Sequence, residues 1–144
     1  ETGINMGNWY NTGYDKTHDF SFVSNFKLNK KLTFNTNFIF QTGQPTNYPI
    51  GQYTYMDLTI PNYGARNSNR LPNYHRLDIS LTIDPNKNKK RDYKSEWVFG
   101  FYNIYDRDNA NSITFRQNDK TLKNEAVQIS IFGIVPSITY NFKF

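Results

Sequence analysis

Side chains able to do chemistry are few in this chain and far apart. Its two histidines lie among charged neighbours: Asp15 and Asp19 around His18, Arg76 and Asp78 after His75. Imidazoles could hold a divalent metal, but such a site needs several converging nitrogen, sulfur or oxygen ligands. There is no cysteine, and the carboxylates do not cluster, so no metal and no cofactor is expected. Nucleophilic catalysis is not expected either: Ser24, Ser80 and Ser130 lack the strand-to-helix elbow that exposes a nucleophile. Gly43-Gln44-Pro45 and Gly51-Gln52 read as turns, not phosphate loops. The bland role for His18, Asp19, His75, Arg76 and Asp78 is a polar network on one wall of the fold; the sharper one is ligand contact. A second set, Tyr53, Tyr55, Tyr63, Arg66 and Arg70, lies in the polar stretch 42–74 with Tyr48 and Tyr74. Tyr and Arg give large amphipathic contacts, so these residues suit ligand binding or the packing of loop on loop.

The net charge is +5, but basic residues are scattered. The one dense run, Lys87, Lys89, Lys90, Arg91 and Lys94, is mixed with Asp84, Pro85, Asn86, Asn88 and Asp92. That mixture reads as a solvated turn, and no nucleic-acid partner is expected.

Alternation dominates the elements that must position these groups. Phe20, Phe22, Ser24, Phe26 and Leu28 share one parity, as do Leu32, Phe34, Thr36, Phe38 and Phe40 after the turn Asn29-Lys30. Leu77, Ile79, Leu81 and Ile83 alternate with Arg76, Asp78, Ser80, Thr82 and Asp84. Trp97, Phe99 and Phe101 oppose Glu96, Val98, Gly100 and Tyr102, and the pattern breaks at Asn103-Ile104-Tyr105. A fifth run from about Glu125 to the end carries Phe132, Ile134, Pro136, Ile138, Tyr140, Phe142 and Phe144 on one parity. Pro136 marks a bulge in it or divides it in two. Period-two patterning with short turns predicts an all-β chain of antiparallel up-and-down strands.

Short and long connections alternate, and the long ones cover about 42–74 and 106–124. Transmembrane barrels have short periplasmic turns and long extracellular loops, which predicts segments 1–16, 42–74 and 106–124 outside and the C-terminus in the periplasm. Mean hydropathy is −0.76, and no apolar run approaches the ~20 residues a membrane helix needs. A barrel strand faces lipid with every second residue only, so its average can be hydrophilic. The crowding of large aromatics on the apolar parity also suits lipid better than a sandwich core about 10 Å thick. The start, Glu1-Thr2-Gly3-Ile4-Asn5, has no basic and apolar signal regions, so a piece of a longer exported protein is expected.

The final residues, SITYNFKF, place Ile138, Tyr140, Phe142 and Phe144 at alternate positions. They resemble the C-terminal signal read by the barrel-assembly machinery, which can pair with a free strand edge. Longer stretches, in order, resemble the TonB-dependent receptors, the plugged transporters of Gram-negative outer membranes. They are NWYNTGYDKTHDFSFVSNFKLNKK, FIFQTGQPTNYPIGQY, RNSNRLPNYHRLDISL, EWVFGFYNIYDRDNANSITFR and NEAVQISIFGIVPSITYNFKF. The resemblance implies a barrel of roughly 22 strands with an N-terminal plug, importing a nutrient or siderophore with energy delivered through TonB. Residues 1–144 would be the C-terminal part of that barrel domain, holding about its last five strands and neither the plug nor the TonB-contact segment. Its implied partners are outer-membrane lipid, the assembly machinery at the last strand, and further barrel strands, its own or another chain's, at both edges. Two alternatives stay open: a soluble β-sandwich module binding carbohydrate, and a barrel segment held as a client of the assembly machinery.

Overall fold

The computed structural model describes residues 4–56, 58–85, 93–118, 120 and 124–143. The basic residues Lys87, Lys89, Lys90 and Arg91, their neighbours Asn86, Asn88 and Asp92, and the terminal Phe144 lie outside them. Among the described residues the strands are β1 (Asp19–Lys27), β2 (Leu32–Gln41), β3 (Pro45–Thr46), β4 (Pro49–Tyr55), β5 (Leu58–Tyr63), β6 (Asn69–Arg70), β7 (Tyr74–Ile83), β8 (Lys94–Tyr102), β9 (Ala110–Gln117), β10 (Asn124–Ser130) and β11 (Val135–Lys143). The chain is all-β, with antiparallel pairing throughout.

Five long strands form one sheet in the order β1-β2-β7-β8-β11, each following the last along the chain. Asn29 closes the first hairpin: its Oδ1 accepts from the Lys31 and Leu32 N–H groups at 2.8 and 2.9 Å, an Asx turn. Register then stacks like on like. One row runs Phe26–Phe34–Leu81–Phe99–Ile138 across all five strands, and another runs Leu32–Ile83–Trp97–Tyr140. The neighbouring row on the other face runs Asn25–Asn35–Ser80–Gly100–Ser137. Since side chains alternate with period two, a slip of one residue anywhere would mix the two faces.

The long polar stretches carry structure of their own. Between β2 and β7, β3 pairs with β6 and β4 with β5; between β8 and β11, β9 pairs with β10. The fifth alternating run therefore divides, with β10 in the second excursion and β11 in the sheet. The division falls at 131–134, not at Pro136, which is the second residue of β11 opposite Phe101. Proline is tolerated there, near the start of a strand at the sheet's edge. Among the described residues no hydrophobic side chain is buried. Among the described residues the sheet is one layer, with no second sheet packed on either face.

Candidate functional site

Three features of the five-stranded sheet could carry function: an apolar face, a polar face, and two edges. The apolar face holds Phe22, Phe34, Phe38, Leu77, Ile79, Leu81 and Phe99, among others, in cross-strand register. Phe22, Phe142 and Ile138 are 52%, 63% and 69% exposed. Toward the end of the sheet with the short turns, Trp97 packs on Tyr140 with ring centroids 4.6 Å apart, and Tyr140 stacks on Phe142 at 6.0 Å. At the opposite end Phe40 stacks on His75 at 6.5 Å, and the Tyr105 hydroxyl lies 2.8 Å from His75 Nδ1. Burial raises the Tyr105 phenol above its ordinary value. Aromatic contacts thus lie at both ends of this face, with Phe, Leu and Ile between them.

The polar face is tied together across strands. Asn35 Nδ2 donates to Ser80 Oγ and Thr82 Oγ1, both at 3.2 Å. Asp78 accepts from Arg76 at 2.9 Å, from Asn37 Nδ2 at 3.4 Å and from the Asn103 N–H at 3.0 Å. The Arg76 guanidinium lies 4.0 Å from the centroid of the Tyr102 ring and donates to the Tyr74 hydroxyl at 3.0 Å. Their side chains are 16% and 20% exposed, so Arg76 and Asp78 depend on these partners to offset desolvation.

Each long strand has nine or ten residues, which matches the roughly 9–11 residues of a transmembrane β-strand. At a rise of ~3.4 Å per residue and a tilt of ~40°, such a strand spans about 23–26 Å. β1 pairs with β2 alone and β11 with β8 alone among the described residues, so the sheet does not close on itself. No known protein family, curated protein or solved structure matches the chain.

The singled-out residues fall in different places. Asp19, Arg76 and Asp78 lie on the polar face; Asp19 accepts from Gln41 Nε2 at 2.9 Å. His75 does not belong with them. It pairs with Phe40 and shares the parity of Leu77, so its ring stands on the apolar face, opposite to Arg76; its nearness in sequence to Arg76 and Asp78 was misleading. His18 precedes β1 and pairs through its backbone, donating to Thr42 Oγ1 at 2.8 Å and accepting from the Thr42 N–H at 2.9 Å. Among the described residues no group of three or more His, Asp or Glu side chains is placed to hold a metal ion.

Arg70 is committed to structure: it pairs with the Asp15 carboxylate and donates to the Asp15 and Gly43 carbonyls at 3.2 and 2.9 Å. Gly43 permits the close approach of the neighbouring Leu71 backbone, since a Cβ there would collide with the Leu71 carbonyl. Arg66 covers the Tyr10 ring at 5.1 Å. Tyr53 and Tyr55 project from one face of the β4–β5 hairpin with Leu58 and Ile60 opposite them; Tyr63 follows the other parity. All three tyrosines are exposed. Ile138, Tyr140 and Phe142 lie on β11 in the apolar rows, while Phe144 is outside the described residues.

Sequence reasoning missed the corner after β8. Asn103 is fully buried with a φ of +54°, a conformation Asn tolerates better than most residues. Its Nδ2 donates to the Arg107 carbonyl at 3.0 Å, and its Oδ1 accepts the Arg107 N–H at 3.2 Å. Asp106 caps the Ile134 N–H at 2.6 Å, and the Asn109 amide clasps both backbone groups of His75, at 3.1 and 2.9 Å. The signal was available as the break in alternation at an Asn- and Asp-rich stretch.

Proposed function

We propose that this chain is a run of five consecutive strands from a larger transmembrane β-barrel of the TonB-dependent transporter kind in the outer membrane. The whole barrel would import a nutrient or siderophore. The observation that carries this reading is the register: apolar rows aligned across five strands of membrane-spanning length, uncovered, backed by a hydrogen-bonded polar face. Lipid accepts such a face with no limit on side-chain volume, and a lumen accepts the other. The free edges support the larger barrel, because an unpaired backbone group in hydrocarbon costs several kcal/mol. β1 and β11 would each pair with a strand outside this chain, and the plug and TonB contact would belong to other parts of the protein. The resemblance supports the transporter class, whose short turns lie on the periplasmic side. The turns after β1 and β7 would then face the periplasm and the two excursions the outside.

Cysteine scanning tests this directly, since the chain has no cysteine of its own. Single cysteines at 77, 79 and 81 of the full-length protein in vesicles should carry fluorophores quenched by lipid-phase nitroxides. Those at 78, 80 and 82 should react with water-soluble thiol reagents instead. Loss of this two-residue period, with both sets equally water-accessible or both protected, overturns the reading.

A further inference from the structure

The two excursions touch each other. Tyr48 packs edge-on against Phe115, with centroids 5.4 Å apart, and Asn124 Nδ2 donates to Gln52 Oε1. Where their bases join the polar face lies a cavity of about 360 Å³, within the ~300–1,000 Å³ common for small-molecule sites. Part of its wall is aromatic: Tyr74, Tyr102 and Phe132. Arg76 holds both tyrosines, and Phe132 meets Tyr102 edge-on at 6.4 Å. The polar part includes Lys16, Gln41, Gln44 and Asn111.

Charge decides what fits. Among the described residues no Asp or Glu lines the cavity. Nearby carboxylates have partners of their own: Asp15 pairs with Arg70, Asp78 with Arg76, and Asp19 accepts from Nε2 of the cavity residue Gln41. The half-buried Lys16 ammonium donates to the neutral Gln41 Oε1 at 2.8 Å. An ammonium has three donors, and among the described residues no carboxylate lies within ion-pair distance of this one.

We propose that this cavity binds a small anionic ligand built on a hydroxylated ring, of the sugar-acid class. The carboxylate would meet Lys16, the hydroxyls would meet Gln41, Gln44 and Asn111, and the apolar ring face would lie on the aromatic wall. The proposal rests on the barrel reading only in that the excursions then face the outside, where such a ligand arrives.

Glucuronate and glucose, which differ at one carbon, are the probes. Each is titrated by calorimetry into the full-length protein in detergent micelles. Glucuronate should bind at least about tenfold more tightly, as expected for one charge-assisted contact. Lys16→Gln should abolish that preference, and Lys16→Arg should keep it. Equal binding of the two sugars, no heat of glucuronate binding, or an undiminished preference in Lys16→Gln would overturn the proposal. Heat-modifiable electrophoretic mobility of the same sample reads barrel formation separately. A folded barrel indifferent to glucuronate refutes the cavity assignment alone; absent heat-modifiability refutes the barrel reading, whatever the titration shows.

Discussion

Arginine in place of Ile79 gives the sharpest discrimination between lipid and a protein core. Ile79 is the sixth residue of β7, with Thr36 on one side and Phe101 on the other. At ~3.4 Å per residue and ~40° of tilt, it lies about 10–13 Å from either strand end, near the middle of an apolar band roughly 25 Å tall. A guanidinium facing lipid at that depth costs about 2–4 kcal/mol, falling to about 0–1 near the interface. The folding equilibrium of Ile79→Arg should therefore drop roughly 30- to 700-fold, while Ile83→Arg, at the end of the same strand, should stay within about fivefold. Arginine alone would also harm a closed core, so Ile79→Phe completes the set. Lipid accommodates the larger ring at little cost, whereas overpacking a core costs about 1–3 kcal/mol. The assay is urea-dependent folding of the full-length protein into phospholipid vesicles, read by heat-modifiable mobility. Equal penalties at 79 and 83, or a penalty for Ile79→Phe as large as for Ile79→Arg, would refute the lipid-facing assignment.

Two further outcomes follow from the corner and from the last strand. Asn103→Ala strips partners from the Arg107 N–H and carbonyl, a loss of about 1–3 kcal/mol for buried groups left unpaired; limited proteolysis should cut within 106–134 faster while the sheet persists, and an unchanged cleavage rate would show that Asn103 does not hold the corner. Phe142→Asp places a charge in the apolar row next to Tyr140, whereas Lys143→Gln alters the opposite face; outer-membrane abundance of the full-length protein should collapse for the first and hold for the second, and normal abundance of both would remove β11 alternation from the assembly signal.

The faces of the sheet were legible because a single rule, period two, applies to every long strand and because Leu and Ile fall on one parity without exception in β7. Legibility failed where that rule was set against nearness in sequence. His75 lies beside Arg76, yet alternation sends adjacent side chains to opposite faces. It failed again where partners are distant: Asp15 and Arg70 meet across the first excursion, and neither residue type announces the other. The excursion ladders were hidden for local reasons. β4 opens on Pro49 and Gly51, with a register shift between them, and β9 is interleaved with Ser112, Thr114 and Arg116, so its apolar parity rests on few residues. Lys16 carried no sequence signal. It stands out only once the fold has assigned Asp15, Asp19 and Asp78 to other partners.

Stability of such a sheet has to come from outside its own layer. An isolated strand pairing contributes little, and an apolar side chain of Phe or Leu size gains about 1.5–3 kcal/mol only when something covers it. Here Phe22 and Phe26 are exposed and Phe34 and Phe38 only half-buried among the described residues. A second sheet about 10 Å away would have to interdigitate with ring after ring in fixed registry, whereas acyl chains fill the same space with no fixed shape. The opposite face demands the reverse. Asp78 is satisfied by a guanidinium, an amide and a backbone N–H, and groups like these gain from water, not hydrocarbon. On the proposed reading, a single layer whose two faces suit different solvents would sit at the boundary between those solvents, and the two edges, unpaired among the described residues, would be completed by more strands of the same kind.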